Sequence, residues 1–153
     1  MSSSKPGTRT DVLALVIRYA RARVRSTREA AAYLASHGIA PRTASHALAR
    51  ARLMGLLDDR VCARLWAETW ARQNYAAAAI RQKLEAKGLE AGVVAAALRA
   101  LEAEQDDRAR ARDVIARRLR RRSAHRAQLA RALASRGFDA DVIEQVLGEP
   151  FER

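Results

Sequence analysis

The sequence predicts an all-α protein built from three tandem three-helix repeats that form an elongated, curved array. Behind this lies first a skeleton that occurs three times: Leu, three residues, Gly, an apolar residue, eight residues, Leu. Its copies are Leu34, Gly38, Ile39 and Leu48, then Leu84, Gly88, Leu89 and Leu98, then Leu133, Gly137, Phe138 and Leu147, with glycines 50 and 49 residues apart. A shared spacing at near-constant period is the mark of stacked repeats. The second observation is composition: hydrophobic residues make up 49%, mostly Ala and Leu, against 5% aromatic, and no alternating strand pattern with turn signals occurs. The third is an apolar residue four before the first Leu of each copy, Ala30, Ile80 and Leu129. It shares a helical face with that Leu, and the Gly then ends the helix in a left-handed cap. Each copy reads as helix, tight turn, helix, and neither helix can bury its stripe alone.

The elements follow in order. Residues 1–10 are polar, lack the apolar stretch of a signal peptide and are expected to be disordered. Val12, Leu15, Val16, Tyr19 and Ala20 form a helical stripe. Ser26, followed three residues later by Glu29, is a capping box that opens a second helix running to about His37. After the Gly38 turn, Pro41 suits the first turn of a third helix, which ends near Met54 and closes a first repeat over 11–55. Gly55-Leu56-Leu57-Asp58-Asp59 stops one helix and starts the next with an aspartate at its cap. The fourth helix carries Cys62, Leu65, Trp66 and Trp70 at helical spacing, and helices over 76–87 and 91–103 complete a second repeat over 56–104. Asp106-Asp107 echoes Asp58-Asp59, and helices over 107–121, 124–136 and 140–147 make a third repeat over 105–148, followed by a tail at 149–153.

Net charge is +12, and it is unevenly spread. Residues 1–60 carry +7 and residues 108–136 carry +10, whereas 61–107 carry −1 and 137–153 carry −4. Lysine occurs only at Lys5, Lys83 and Lys87, so the basic groups are nearly all guanidinium, a planar donor suited to phosphate and carboxylate. The single cysteine, Cys62, excludes an internal disulfide and a thiolate zinc cluster, and reads as a small core residue in a reducing compartment. His37, His46 and His125 have no regular metal spacing. No apolar run approaches the roughly 18 residues of a membrane span. Without a phosphate-cradling glycine loop, a nucleophile elbow or a Cys/His arrangement, the expectation is a cytoplasmic, monomeric, non-catalytic protein with no cofactor and no metal.

Three basic groups are candidate contact residues. Arg117, Arg118, Arg120, Arg121 and Arg122 form the densest run, with Arg126 beyond it; on a helix they wrap most of the circumference and leave Ile115 and Leu119 to face inward. A run this unbalanced repels itself unless a polyanion lies nearby, which points to DNA phosphates or an acidic protein surface. Arg18, Arg21 and Arg25 fall at i, i+3 and i+7 on the first helix, with Arg28 opening the second. Arg81, Lys83 and Lys87 form a third group, partly neutralised by Glu85. Trp66 and Trp70 could stack on unpaired bases, but Leu65 and Cys62 share much of their side of the helix, so core packing is expected. Tyr19, Tyr33 and Phe138 are likewise read as core. Both aspartate pairs sit at helix starts, where carboxylates cap amides.

Arg25-Ser26, Glu29, Leu34 and Gly38, then Gly55 to Asp59 followed by Ala63, then Leu84-Glu85-Ala86-Lys87-Gly88, and finally Arg117-Arg118-Leu119 with Leu133 to Phe138 resemble, in order and spacing, the RecX family of regulators of the RecA recombinase. The resemblance spans residues 11–148. It departs at Ala30, where the family usually has Leu, and at Ala76 to Ala79, where members often carry Gly and Arg. It implies a protein of three tandem three-helix repeats that lies in the helical groove of the RecA filament on single-stranded DNA and restrains ATP hydrolysis, strand exchange and co-protease activity. The alternative is a helix-turn-helix DNA-binding protein acting without RecA, because Gly38 and Pro41 frame a short turn before a helix carrying Arg42, Thr43, Ser45, His46 and Arg50. The corresponding helices disagree: Ala91 to Leu98 is nearly all apolar or small, and Asp139, Asp141 and Glu144 make the third acidic. A third reading is a generic helical scaffold.

Overall fold

A computed structural model describes residues 9–121 and 124–148. Among these residues there are nine α-helices: α1 (Arg9–Ala20), α2 (Thr27–Ser36), α3 (Pro41–Leu53), α4 (Asp59–Arg72), α5 (Ala77–Ala86), α6 (Ala91–Glu104), α7 (Asp107–Arg121), α8 (Arg126–Ala134) and α9 (Ala140–Gly148). The all-helical expectation holds. Helix α1 begins two residues earlier than the composition suggested, with Asp11 in its first turn, where a carboxylate favours the positive end of the helix dipole. The remainder of the expected disordered start and the expected tail lie outside the described residues.

The chain divides into two compact units, Met1–Cys62 and Ala63–Arg153. The first holds one core, built on Val12, Val16, Ala30, Leu34, Ala44, Ala47, Ala51 and Leu57 from α1, α2, α3 and the segment after α3. The second holds two. One gathers Ala63, Ala67, Ile80, Leu84, Val94, Leu98 and Leu101 from α4, α5 and α6. The other gathers Ala111, Val114, Ile115, Leu129, Leu133, Val146 and Leu147 from α7, α8 and α9, together with Ala76 and Phe138 from the turns before α5 and α9. The first core takes in residues beyond Gly55. Leu57 is buried within it and Leu56 packs against it, because the chain doubles back after Gly55 and runs beside Arg25. Arg25 donates its N–H to Leu56 at 3.4 Å, and its carbonyl accepts from Asp58 at 3.0 Å.

The repeated Leu-Gly skeleton is a hydrogen-bonded turn. Gly38 and Gly137 have φ of +73° and +86°, the left-handed region that costs an L side chain roughly 1–2 kcal/mol. Past each, the N–H of the apolar residue reaches back to the carbonyl of the skeleton leucine, Ile39 to Leu34 at 3.1 Å and Phe138 to Leu133 at 3.3 Å. This closes a carbonyl orphaned at the helix end and folds the apolar side chain onto the core. Asn74 makes the same turn after α4 with φ of +61°, and Tyr75 bonds back to Trp70 at 3.1 Å.

Both aspartate pairs cap helices, as their positions suggested, and each pair serves two. Asp58 accepts from Arg60 and Val61 at 3.0 and 3.1 Å, and Asp106 from Ala109 at 2.8 Å, each capping the helix that follows it. Their neighbours turn the other way: Asp59 accepts from Thr27, the first residue of α2, and Asp107 from Ala77, the first residue of α5, both at 2.8 Å.

Helix starts and turns thus give two checks. A Cβ on Gly38 meets nothing within 4 Å, whereas one on Gly137 would sit 2.7 Å from Ala79 Cβ. Gly38→Ala is expected to lower unfolding free energy by about 1–2 kcal/mol, and Gly137→Ala by distinctly more, in urea titrations followed by circular dichroism. Equal losses would contradict the close approach at Ala79. Asp107→Ala, which strips a cap from α5 and leaves the buried Arg110 guanidinium without its carboxylate, is expected to cost about 3–5 kcal/mol in the same titration.

Candidate nucleic-acid interface

In the second unit, the end of α7 and two connecting turns enclose an open cleft of about 810 Å³ lined by Arg72, Gln73, Asn74, Tyr75, Val114, Arg117, Arg118, Arg121 and Arg136. The α7 arginines reach it because Arg117, Arg118 and Arg121 follow Val114 at i+3, i+4 and i+7, on the same side of the helix and on the turns beyond its last buried residues. The α4–α5 turn supplies Asn74 and Tyr75 through its left-handed bend. Arg136 joins because the turn before Gly137 docks on the start of α5: Ala76 N–H donates to the Arg136 carbonyl at 3.0 Å, and the Arg136 guanidinium donates to the Gln73 carbonyl.

Among the described residues no carboxylate lines this cleft. Arg23 pairs with Glu29, Arg64 with Glu68 and Arg110 with Asp107, and none of these ion pairs uses a cleft arginine. What holds the guanidinium groups is neutral. Arg72 donates to the Thr69 hydroxyl at 3.2 Å, and Arg136 has the Gln73 carbonyl and the Tyr75 ring, whose centroid is 5.7 Å from its Cζ. Two like charges roughly 10 Å apart repel by about 0.4–1.7 kcal/mol at effective dielectrics between water and a protein surface. Five such charges around one concavity make it a strong receptor for negative charge.

Of the basic run, Arg117, Arg118 and Arg121 enter the cleft, Arg120 is exposed outside its lining, and Arg122 lies outside the described residues. Leu119, expected to face inward with Ile115, is 36% exposed, because it lies a turn beyond Ile115, the last buried residue of α7. Arg126 is occupied as a cap, donating to the Leu147 carbonyl at 2.8 Å near the end of α9. Arg72 and Arg136 were not legible as site residues, since each stands alone among neutral neighbours in the sequence.

The other basic groups are more dispersed. In the first unit Arg18, Arg21 and Arg28 are exposed, but Arg25 is engaged: its Nε donates to the Tyr19 carbonyl at 3.3 Å and its Cζ lies 4.2 Å from the Tyr19 ring centroid. Tyr19 stacks on Tyr33 at 4.1 Å and 7°, with His37 at 4.3 Å beyond. Tyr19 and Tyr33 are therefore half-buried in a ladder at the rim rather than inside the core, and of the three expected core rings Phe138 alone is fully buried. In the second unit Arg81 is exposed, Lys83 sits 4.5 Å from the Tyr75 ring centroid and 5.6 Å from that of Trp70, and Lys87 sits 5.1 Å from that of Trp66. Both tryptophans are half-buried against the α4–α6 core, while Leu65 is 48% exposed and shares none of that packing, since the half-buried faces of Trp66 and Trp70 take its place.

Sequence reasoning also passed over Arg110, which is fully buried and anchored to Asp107 at 2.6 Å and to the Gln105 carbonyl. It steadies the aspartate that caps α5. Cys62 is buried with its Sγ 3.7 Å from the Val24 carbonyl, and burial pushes its thiol up to about 11. Glu29 completes the capping box, accepting from Ser26 N–H at 2.9 Å while its own N–H donates to Ser26 Oγ at 3.2 Å. Burial alone would raise its carboxyl, but the Arg23 hydrogen bond, the Ser26 amide and nearby arginine charge outweigh it and hold the group below its ordinary value near 4.5. Among the described residues no three His, Cys, Asp or Glu side chains gather as metal ligands, and no helix is long and apolar enough to cross a membrane.

Residues 58–98 match the family model described as "RecX, second three-helix domain". The regulatory protein RecX of Mycobacterium marinum is 30% identical over 153 residues, covering 95% of this chain and 88% of the relative. That of Streptomyces coelicolor is 29% identical over 145 residues, covering 91% and 77%. Among solved structures, RecX from Lactobacillus salivarius superposes with a TM-score of 0.75 at 18% identity over 92% of this chain and 94% of that one. A second, a crystal structure of regulatory protein RecX, gives 0.76 at 20% identity over 92% and 72%.

Two expectations follow from the titrating groups. Because the folded Glu29 carboxyl is depressed, its stabilising contribution is present above its ordinary value and is lost as pH falls through the folded value. Wild-type thermal stability should therefore drop more steeply below about pH 4.5 than that of Glu29→Gln; parallel curves would refute the linkage. The raised Cys62 thiol leaves about 100-fold less thiolate at neutral pH than a thiol at 9.0, so native protein should resist iodoacetamide and react only once unfolded.

Proposed function

The chain belongs to the RecX family of regulatory proteins, and we propose that it acts on the RecA nucleoprotein filament, binding in its helical groove on single-stranded DNA and restraining ATP hydrolysis, strand exchange and co-protease activity. The reading is supported above all by the second-unit cleft, where five guanidinium groups, two of them held by neutral partners, line one open concavity with no carboxylate among its described lining residues. A filament on single-stranded DNA offers such a surface its complement, phosphates at regular spacing. Guanidinium forks bind phosphate bidentately, so they position the protein on a backbone without reading sequence. Regulation then needs no chemistry from this chain: occupancy of the groove hinders the subunit motions and duplex entry on which activity depends. The scattered exposed arginines of the first unit, Arg18, Arg21 and Arg28, would add contact along the same polyanion. A monomer in the cytoplasm suffices for this role.

The test is RecA-dependent ATP hydrolysis on single-stranded DNA, expected to fall as the protein is added; hydrolysis undiminished at several-fold excess sinks the proposal. The Arg117→Ala/Arg118→Ala/Arg121→Ala variant should co-sediment more weakly with filaments and flatten the slope of log affinity against log salt by about 2–3.

A further inference from the structure

The cleft has properties that a contact along an extended backbone does not require. A strand lying on a surface is served by a stripe of charge, as on α1, whereas Arg72, Arg117, Arg118, Arg121 and Arg136 converge on one concavity from three separate parts of the chain. Its volume, about 810 Å³, lies within the range of roughly 300–1,000 Å³ typical of small-molecule sites. Two of its arginines are pre-positioned, Arg72 by Thr69 and Arg136 by Gln73 and Tyr75. Ordering them on binding therefore costs little, and the planar fork of each keeps free N–H donors. Guanidinium groups stay charged at any physiological pH, so the site calls for a ligand that concentrates several negative charges within a few ångströms.

We propose that this cleft is a binding site for a free anion of linked phosphates, a di- or triphosphate chain, which would occupy the guanidinium groups otherwise offered to the filament. A single phosphate can engage only one or two of the five; a linked chain spans the cleft and engages arginines from opposite walls at once. Competition between this anion and the filament rests on the function proposed above, whereas binding of the anion to the protein does not. The chemistry admits two sources, an inorganic polyphosphate or a nucleoside polyphosphate, which differ only in whether a base adds contacts, for example with the Asn74 amide at the cleft wall.

The experiment is titration calorimetry on the full chain at low salt, with inorganic orthophosphate, inorganic tripolyphosphate, a nucleoside triphosphate and the unphosphorylated nucleoside as separate arms. Saturable one-to-one binding of tripolyphosphate is expected, at least about ten-fold tighter than orthophosphate. Arg118→Ala and Arg136→Ala should each weaken it by roughly ten-fold or more while retaining the wild-type helical spectrum, and Arg118→Ala, which breaks no hydrogen bond between turns, the wild-type melting transition as well. Arg81→Ala, outside the cleft, should leave it unchanged. Tighter binding of the nucleoside triphosphate that Asn74→Ala abolishes assigns the nucleotide source; equal affinity assigns the inorganic chain. Absence of saturable tripolyphosphate binding, or binding that Arg81→Ala weakens as much as Arg118→Ala, overturns the site. Since these readings need no RecA, the anion site can fail while inhibition of the filament stands, and the reverse.

Discussion

The arrangement depends most on where helix N-termini find their acceptors. Helices α2 and α5 are short, ten residues each, and isolated helices of that length are marginal in water. Each is anchored at its first residue by a carboxylate that arrives 32 or 30 positions later, from Asp59 and Asp107. Because Asp58 and Asp106 simultaneously cap their own helices, an adjacent acidic pair ties the start of one helix to the start of another. Buried Arg110 bonds the same carboxylate oxygen that holds Ala77. At the opposite end of α2 the left-handed turn completes the scheme, where Ile39 reaches back to the skeleton leucine Leu34, and Phe138 closes α8 on Leu133 in the same way.

These same constraints build the cleft. The turn at Gly137 can approach α5 only because no Cβ stands between it and Ala79. That approach brings the Arg136 carbonyl to Ala76 N–H and its guanidinium to Gln73. Ala76, in turn, is buried with the core of α7, α8 and α9. An alanine at the head of α5 thus does for the third core what a larger residue could not, and the basic concavity follows from the packing beneath it. At Arg72 and Arg136 neutral hydrogen bonds and one aromatic ring orient the charge without neutralising it.

Much of the fold was legible from the residues. The period of the Leu-Gly skeleton, the capping box at Ser26 and Glu29 and the prolyl start of α3 are local signals, and local hydrogen bonds and helical periodicity carry them into structure unchanged. The α7 arginines were legible too, because adjacent like charges in a sequence remain close on a helix. Failures came where burial depends on a neighbour distant in sequence. Leu119 and Leu65 fit an apolar stripe yet stay exposed, and Tyr19 and Tyr33 fit the same pattern yet stack at a rim. Periodicity states which face a residue occupies but not how far the partner helix extends to cover it.

By itself, then, the sequence determined the helices, their turns, the threefold recurrence and the basic balance of the region from 108 to 136, all properties of residues within a few positions of one another. Tertiary structure alone decided that Asp59 and Asp107 cap helices other than their own, that Asn74, a non-glycine residue, takes a left-handed turn, and that Arg72 and Arg136 join Arg117, Arg118 and Arg121 in one cleft. Those outcomes rest on contacts between residues 30 to 63 positions apart, whose geometry is set by packing, and packing is a property of the assembled helices rather than of any single stretch of chain.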